Sequence, residues 1–471
     1  MGIGRSETLE PYLRRAYAWR RASVNRRIFA AMATVAAAGV LIKAAAMARD
    51  VVVASYFGTS DAVDAFFIAL TVPTFAINII TGSLPAALVP AYVRVTRAEG
   101  AEGARRLVSG IFVGTVALVA VASLVLVLGA PLLLPLIGGN FGGDKLALTR
   151  HLFYFLLPAV LLAGLSGILS SLLNAHERFL LAAMTPLFGP VLTIGLLLAA
   201  GARWGVYLLA VGLLAGAVAE LLVLGWSAYR RGLLAPARWT GWHPETRRVL
   251  EQYVPVVVGG AVMGSSPLID QSMAVSLGAG SVATLGYGSK VVAAALGVGT
   301  TALSTAIFPH LSSMVAAADW AGVRHTLRTY VRLVLGVSIL AVLLIVALST
   351  PIVRLLYERG AFSSADTLAV ARVQALLALQ IPFFALGIIA VRLLSALRGN
   401  RVLMWVSIMN FVTNIAGNYV FMRVWGVAGI ALSTSVVYAI SAIVLCWSVQ
   451  RRIGHWSRSG QTTQVQQSSN T

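Results

Sequence analysis

The sequence predicts an all-α polytopic membrane protein with about twelve transmembrane helices in two six-helix lobes. Three observations lead to this fold class. Of the 471 residues, 58% are hydrophobic and only 11% are charged, whereas soluble domains are about 25% charged. Several uncharged runs exceed the about 20 residues that cross a bilayer as a helix, and the second half of the chain repeats the first. The composition therefore excludes a soluble globular protein, a disordered chain and a secreted disulfide scaffold.

The apolar runs place twelve candidate spans along the chain. Backbone polar groups in hydrocarbon must be hydrogen-bonded within their own segment, and the ten-residue alternation of barrel strands is absent from the sequence, so the spans are predicted to be helices. They cover about 28–57, 62–93, 107–131, 150–174, 180–201, 204–229, 249–278, 281–312, 330–353, 367–396, 402–422 and 424–449.

The basic residues predict the orientation of these spans. Lys and Arg number 36 against 16 Asp and Glu, a net charge of +20. With the N-terminus in the cytoplasm, 25 of the 36 lie in cytoplasmic segments and 6 in external segments, which is the asymmetry that the positive-inside rule expects. Both termini are therefore predicted to be cytoplasmic. The charge is spread over seven segments and not gathered on one face, which argues against nucleic-acid binding.

An internal repeat divides the chain into two halves. At a constant offset of 221 residues, Trp204-Gly205-Val206 matches Trp425-Gly426-Val427, Trp226-Ser227 matches Trp447-Ser448, and Arg230-Arg231 matches Arg451-Arg452. Six spans per half leave both halves in the same orientation, related by a pseudo-twofold axis along the membrane normal. Channels are usually rings of several subunits, so the duplication favours a monomeric secondary transporter that binds its cargo between the halves.

The predicted domain organisation follows from the repeat and the charges. The predicted segments are a basic cytoplasmic N-terminal segment at 1–27, an N-lobe at 28–231, a basic cytoplasmic linker at 232–248, a C-lobe at 249–452 and a disordered cytoplasmic tail at 453–471. The first segment mixes aromatic residues with arginines and is either an amphipathic helix on an anionic membrane surface or a plain basic tail.

Ionisable residues inside the spans are candidates for function, because a charge at the bilayer centre costs about 3 kcal/mol or more. The first two spans contain Lys43, Arg49, Asp50 and Asp64, and the second half contributes Asp270 and Lys290. A deep cation in each half suggests an anionic cargo; the alternative is internal ion pairs. Arg49 and Asp50 are sequence neighbours and should point in different directions, so we expect Asp50 to pair with another helix while Arg49 faces the cavity.

Two further features concern ion coupling. Glu220 is a lone acid in the sixth span and is either a proton or sodium site or part of a packed pair. Pro267 follows Gly264, Ser265 and Ser266 and precedes Asp270 by three residues, which suggests a hinge or a cation site.

Cys446 is the only cysteine, which excludes disulfides within the chain and cysteine-based metal sites.

No catalytic set is present in the sequence. The Walker pattern GxxxxGK[ST], the nucleophile elbow and HExxH are all missing. We therefore expect a protein that is not an enzyme, that has no cofactor, and that draws energy from Na⁺, H⁺ or the membrane potential.

The charged segments also resemble a known family. Ala48-Arg49-Asp50, Phe57-Gly58, Asp64-Ala65-Phe66-Phe67, Pro73 and Pro90 resemble the first two helices of the MurJ/MviN family. In the second half, Tyr287-Gly288-Ser289-Lys290, Gly297, Ile307-Phe308-Pro309 and Glu358-Arg359-Gly360-Ala361-Phe362 agree with it. The resemblance covers nearly the whole chain. It implies a bacterial inner-membrane protein of the multidrug/oligosaccharidyl-lipid/polysaccharide exporter superfamily, which flips the undecaprenyl-pyrophosphate-linked precursor lipid II by alternating access through a cationic cavity.

The sequence departs from that family in three places. Lys43 and Lys290 stand where the family usually has arginine, and lysine lacks the bidentate fork that suits pyrophosphate. Thr74, Ile77 and Asn78 are uncharged where the family has an arginine-rich segment, and two C-terminal helices of many members are missing. The alternatives are therefore a flippase for exopolysaccharide or O-antigen repeat units and, third, a cation-coupled multidrug exporter, which the cations disfavour.

These considerations assign candidate roles to eight residues. The residues predicted to bind the pyrophosphate of a polyprenyl-linked glycan are Lys43, Arg49, Lys290 and Asn78. The residues predicted to pair charges or couple ions are Asp50, Asp64, Asp270 and Glu220.

Overall fold

The computed structural model describes residues 10–138, 141–233, 264–306, 314, 317, 319–397 and 399–468, and in these residues the regular structure is helical throughout. A short 3₁₀ turn at Thr185–Leu187 joins the fifth and sixth helices. The α-helices are α1 (Glu10–Phe57), α2 (Asp61–Ile137), α3 (Gly143–Leu156), α4 (Pro158–Ala175), α5 (Phe179–Met184), α6 (Phe188–Trp204), α7 (Tyr207–Arg230), α8 (Ser266–Val275), α9 (Ser281–Ala306), α10 (Trp320–Ala347), α11 (Ser349–Tyr357), α12 (Ser364–Ala378), α13 (Ile381–Ala396), α14 (Asn400–Trp425) and α15 (Val427–Ser468).

These helices confirm the predicted fold class. Within the described ranges, nine helical segments are long and apolar enough to cross a membrane. The total of twelve spans stays a prediction, because most of the seventh predicted span, 249–278, lies outside the described residues. The boundaries predicted for the two lobes and for the linker at 232–248 also stay predictions, since 234–263 is not described.

Helix α2 contains two predicted spans. Its 77 residues would extend over about 115 Å at 1.5 Å per residue, far more than a bilayer. Gly100 interrupts the helix with φ +70° and ψ −161°, a conformation open to glycine because it lacks a Cβ. Leu88 and Val95 before this break share an apolar cluster with Leu107 and Ile111 after it, so the chain folds back on itself at Gly100.

The structure repeats the same turn in both halves. Helix α6 ends at Trp204-Gly205 and α14 ends at Trp425-Gly426, and both glycines have φ +56°. In each half this glycine ends one helix and allows the next to return beside it, so that α6 packs on α7 and α14 packs on α15. The sequence repeat therefore corresponds to a repeated helical hairpin.

Helices of the two halves meet along an antiparallel contact between α1 and α9. Gly280, just before α9, lies against the carbonyl oxygen of Thr59, just after α1. Further along, Asp50 of α1 faces Lys290 of α9. Nearer the start of α1, Lys43 Nζ approaches Gly297 so closely that a Cβ there would lie 2.6 Å away. One apolar core surrounds the part of this contact that lies toward the end of α1. Its members come from α1, α2, α9, α11 and α12.

Both ends of the chain are helical where they are described. Helix α1 runs from Glu10 without a break, so the described part of the basic N-terminal segment continues the first span. Helix α15 continues to Ser468, and the separate cytoplasmic tail predicted at 453–471 stays a prediction.

Candidate functional site

A cavity of about 460 Å³ lies between the two halves, within the size range of small-molecule pockets. Helices α1, α2, α6 and α7 line it from the first half, and α8 and α9 line it from the second. Among the described residues, the charged side chains that line it are Arg49, Asp50 and Lys290. The described residues around it that carry uncharged polar side chains are Thr71, Thr74, Asn78, Thr193 and Gln271.

The three charged residues of the cavity form one ion-pair group. Asp50 Oδ1 accepts from Arg49 Nη2 at 2.7 Å and from Arg49 Nε at 3.1 Å. Asp50 Oδ2 lies 3.1 Å from Lys290 Nζ. Side-chain exposure is 6% for Asp50, 27% for Arg49 and 30% for Lys290. The carboxylate is thus buried behind two cations that remain accessible, and the group carries one net positive charge.

Arg49 lines the cavity, and its side chain also turns back to contact Asp50. Sequence neighbours on a helix point in different directions at Cβ, so Arg49 was expected to turn away from Asp50. The long arginine side chain bends back instead, because Asp50 is a buried carboxylate and the guanidinium is its nearest source of compensating charge. The expectation that Asp50 pairs with another helix is confirmed, and its partner is Lys290.

The other described residues of the cavity wall have aromatic, aliphatic or neutral polar side chains. Lys290 Nζ lies 5.9 Å from the centroid of the Phe67 ring, at the outer limit of a cation–π contact. The ring of Phe67 packs edge-on against Tyr287 at 5.9 Å. Thr71 of α2 donates a hydrogen bond to the Gln271 side-chain oxygen of α8. This contact joins the two halves at the cavity wall, and no sequence pattern indicated either residue.

Of the four predicted binding residues, Arg49, Lys290 and Asn78 line the cavity. Lys43 is exposed and contacts Gly297 of α9; among the described residues it is not part of the lining. Lys43 precedes Arg49 by six residues, about 9 Å along the helix at 1.5 Å per residue. The side chain of Lys43 therefore reaches α9 on the predicted cytoplasmic side of the cavity.

Asp64 is fully buried away from the cavity, at the end of α2 that is predicted to be external. Its carboxylate accepts hydrogen bonds from the backbone N–H groups of Gly280 and Ala283, both at 2.8 Å. These are unpaired donors at the start of α9, where the helix dipole favours a negative charge. Lys145 Nζ balances the acid at 2.9 Å and reaches the exposed Asp61 at 2.5 Å. Lys145 is one of the six basic residues in the predicted external segments.

Asp270 lies on α8 in a pocket of neutral oxygen and nitrogen atoms. Its Oδ1 accepts from Asn414 Nδ2 at 3.0 Å and Asn418 Nδ2 at 2.7 Å, and its Oδ2 faces the Thr434 hydroxyl at 3.4 Å. The side-chain oxygens of both asparagines are buried, and no partner for them lies in the described part of the chain. Asp270 is therefore surrounded by further oxygen atoms but by no cation among the described residues.

Glu220 is part of a packed contact within the first half. Its Oε1 accepts a hydrogen bond from the Thr185 hydroxyl at 3.3 Å. Thr185 belongs to the 3₁₀ turn that precedes α6, so the contact fixes α7 to this turn. The structure does not bring Glu220 to the cavity lining.

Backbone and side-chain contacts close the predicted external side of the cavity. Ala361 N–H donates to the Ser55 carbonyl at 2.9 Å, and the Thr59 hydroxyl donates to Asp366 at 2.5 Å. Gly360, with φ +59°, lies against the same Ser55 carbonyl. The segment Glu358–Phe362 thus covers the end of α1, a contact that no sequence pattern indicated.

The Glu358 carboxylate anchors this external segment. It accepts a hydrogen bond from the Thr367 hydroxyl at 2.8 Å and pairs with Arg354 at 3.2 Å. The Thr367 hydrogen bond, and then the nearby Arg354, lower the pKa of Glu358 below its usual value.

Two halves with repeated helical hairpins, packed around a charged central cavity, define a polytopic membrane transporter. The family model described as lipid II flippase MurJ matches residues 53–469. The chain therefore belongs to the lipid II flippase MurJ family.

Individual relatives agree with this assignment. A probable lipid II flippase MurJ from Synechocystis is 27% identical over 90% of this chain and 82% of its own length. The lipid II flippase MurJ of Burkholderia cenocepacia is 26% identical over 90% of this chain and 84% of its own.

Solved structures show the same fold. A lipid II flippase MurJ in an inward closed conformation superposes with a TM-score of 0.76 at 22% identity, covering 90% of this chain and 89% of that one. An inward-facing multidrug transporter of the MOP superfamily superposes with a TM-score of 0.72 at 14% identity, covering 88% and 95%. The fold is thus shared by transporters whose cargoes differ.

Proposed function

We propose that this chain flips lipid II, a polyprenyl-pyrophosphate-linked glycan, across the bacterial inner membrane by alternating access, with both termini in the cytoplasm. Membership of the MurJ family and the named relatives support the cargo. The observation that carries the proposal is the pair of accessible cations, Arg49 and Lys290, that faces the cavity from opposite halves around the buried Asp50.

The cation pair suits a pyrophosphate group. Arg49 offers planar N–H donors and Lys290 a compact point charge, and charge-assisted hydrogen bonds of this kind are about twice as strong as neutral ones. Asp50 keeps the two cations close together in the empty state and lowers the repulsion between them. An entering pyrophosphate replaces part of the contact with Asp50, so cargo binding acts directly on an ion pair that joins the halves.

The neutral polar residues of the cavity would contact the glycan. Thr71, Thr74 and Asn78 on α2 and Gln271 on α8 supply hydroxyl and amide groups, which hydrogen-bond sugars without selecting a charge. Asn78 thus belongs with the sugar-facing wall. Lys43, below the cavity, would attract the pyrophosphate on its way to Arg49.

Asp270 is the proposed coupling site. Its donor set consists of a carboxylate, two amides and a hydroxyl, which are the hard oxygen ligands that a cation such as Na⁺ prefers. Rotation of the Asn414 and Asn418 amides would turn their buried, unpartnered oxygens toward the ion. Protonation of Asp270 is the alternative means of coupling. Asp64 and Glu220 serve as structural partners in this scheme.

One chain supplies both walls of the cavity, so the proposed transporter works as a monomer surrounded by membrane lipids. The activity moves cargo and neither forms nor breaks a covalent bond, so the protein needs no catalytic residues.

The test is complementation of a strain depleted of its own lipid II flippase. The wild-type chain should restore growth, and a variant with Arg49→Gln and Lys290→Gln should not, at equal amounts in the membrane. Failure of the wild-type chain despite membrane insertion would contradict the proposal. It would favour a flippase for exopolysaccharide or O-antigen repeat units, which the uncharged Thr74 and Asn78 would also suit.

A further inference from the structure

The sequence repeat contains two tryptophans per half that the transport proposal leaves unexplained. Trp204 and Trp226 in the first half match Trp425 and Trp447 in the second. All four side chains are more than half exposed. In each half the first tryptophan ends one helix, and the second lies on the helix that returns from that turn. Trp226 lies 19 residues after Tyr207, the start of α7, and Trp447 lies 20 residues after Val427, the start of α15. At 1.5 Å per residue this is about 30 Å, close to the thickness of the hydrocarbon core. The pairs therefore mark the two membrane–water interfaces on the lipid-facing surface.

An arginine follows only the second tryptophan of each pair at one helical turn. Arg230 lies with its guanidinium carbon 5.0 Å from the Trp226 ring centroid, and Arg451 lies 5.3 Å from the Trp447 ring centroid. Both arginines are exposed. The same cation–π contact thus occurs at the same place in both halves, at the interface predicted to be cytoplasmic.

An exposed apolar side chain precedes each tryptophan by one turn. Leu222 of α7 and Ile443 of α15 occupy matching positions in the repeat, and each is 66% exposed. On α7, Val218 extends the same surface by another turn and is also exposed. Each helix therefore presents an apolar side chain, an indole and a guanidinium along one stripe, in the order of the acyl chain, glycerol region and phosphate of a phospholipid.

The helix dipole does not explain both arginines. A cation in the last turn of a helix is stabilised by the dipole, and Arg230 is the last residue of α7. Arg451 lies in the interior of α15, which continues to Ser468. What the two positions share is the tryptophan and the apolar residue, and these point to a common ligand at the membrane surface.

We propose that each half binds one anionic phospholipid at this stripe, formed by Leu222, Trp226 and Arg230 in the first half and by Ile443, Trp447 and Arg451 in the second. The guanidinium can rest with one face toward the indole and still use its in-plane N–H groups for a phosphate, because its five donors lie in the plane. A phosphate with a net negative headgroup matches the local positive charge, whereas a zwitterionic headgroup brings a cation to the same place. Arg231 adds a second exposed charge in the first half.

The experiment is a lipid titration of the full-length chain in detergent, followed by native mass spectrometry. Phosphatidylglycerol and phosphatidylcholine are the probes. We expect two phosphatidylglycerol molecules to remain bound at concentrations where phosphatidylcholine has dissociated. Arg230→Gln should remove one of the two, and Arg230→Gln with Arg451→Gln should remove both, with affinity reduced about fivefold per site. Trp226→Leu should weaken the first site about threefold.

The matched control removes the same charge elsewhere. Arg328 and Arg332 are exposed on α10, on the same predicted face, and neither follows a tryptophan by one helical turn. Arg328→Gln with Arg332→Gln should leave both lipids bound. Equal loss in the control, equal retention of the two lipids by the wild type, or displacement of the lipids by millimolar inorganic phosphate would overturn the proposal. A change from dimer to monomer in the Arg230/Arg451 variant would also overturn it and assign the stripe to a second copy of the chain.

Discussion

Lys290 Nζ lies 3.1 Å from Asp50 Oδ2, and this ion pair connects the two halves of the duplicated chain at the cavity wall. The same carboxylate also holds Arg49. Because the pair lies between parts that must move relative to one another in alternating access, any anion that competes with Asp50 for the two cations changes the contact between the halves.

The first prediction concerns the charge of Lys290. Lys290→Gln should weaken lipid II binding by about 10- to 100-fold, because a hydrogen bond to a charged group contributes about 1.5–3 kcal/mol. Lys290→Arg should retain binding, since it preserves the charge. Equilibrium binding of lipid II to the purified protein measures the effect. Arg203→Gln, an exposed site away from the cavity, is the control, and wild-type affinity in Lys290→Gln would refute the assigned role.

The second prediction concerns the closed external side. The Ala361 N–H donates to the Ser55 carbonyl at 2.9 Å, and two residues joined by a backbone hydrogen bond can reach the Cα separation of about 4.4–6.8 Å that a disulfide spans. In a Cys446→Ser background, Ser55→Cys with Ala361→Cys should therefore form a cross-link on oxidation. Transport should stop and recover on reduction, because the halves can no longer separate on that side. Each single cysteine variant is the control, and continued transport by the cross-linked protein would show that this contact need not open.

The third prediction concerns Gly360. Its φ is +59°, where a side chain costs about 1–2 kcal/mol, and a methyl group would also meet the Ser55 carbonyl. Gly360→Ala should therefore favour the externally open state. The measurement is the labelling rate of Ser55→Cys, again without Cys446, by an impermeant thiol reagent added outside. Gly387→Ala, where an added Cβ meets nothing within 4 Å, should leave the rate unchanged; identical rates in both variants would contradict the prediction.

The fourth prediction concerns the buried acid at the start of α9. Asp64→Asn removes the charge that Lys145 neutralises and should lower stability by about 3 kcal/mol, as expected when one partner of a buried pair is lost. Asp61→Asn should cost less than about 1 kcal/mol because Asp61 is 60% exposed. Thermal unfolding in detergent compares the two. Adding Lys145→Met to Asp64→Asn should recover part of the loss, and a larger effect of Asp61→Asn would show that Lys145 is held chiefly at the surface.

The fifth prediction concerns ion coupling. Na⁺ should raise the thermal midpoint of the wild type in proportion to the logarithm of its concentration above the dissociation constant. Asp270→Asn should abolish this increase, and Glu220→Gln should retain it. K⁺ at equal ionic strength controls for screening. If the thermal midpoint of the wild type responds to pH but not to Na⁺, and Asp270→Asn abolishes that response to pH, the coupling ion is a proton.

Some of the candidate site could be derived from the sequence because charges in a hydrocarbon environment are conspicuous. Arg49, Asp50 and Lys290 stood out in apolar spans, and the structure brings all three to one cavity. Arg49 lines the cavity as expected, but its contact with Asp50 was not expected, since a long side chain can bend back to a buried carboxylate regardless of its Cβ direction. Thr71 and Gln271 could not be found, because ordinary polar residues in helices carry no distinguishing signal.

The sequence by itself determined the class of fold, the repeat and the predicted orientation, because span length, the Trp-Gly-Val match and the distribution of arginines are properties of the chain alone. Only the tertiary structure decided which charges meet. Lys290 faces Asp50, Lys145 faces Asp64, and Lys43 reaches Gly297 below the cavity. Such pairings depend on how two helices distant in sequence are rotated and shifted against each other. Packing sets that register across the whole interface, whereas hydrophobic pattern sets only which segments enter the membrane.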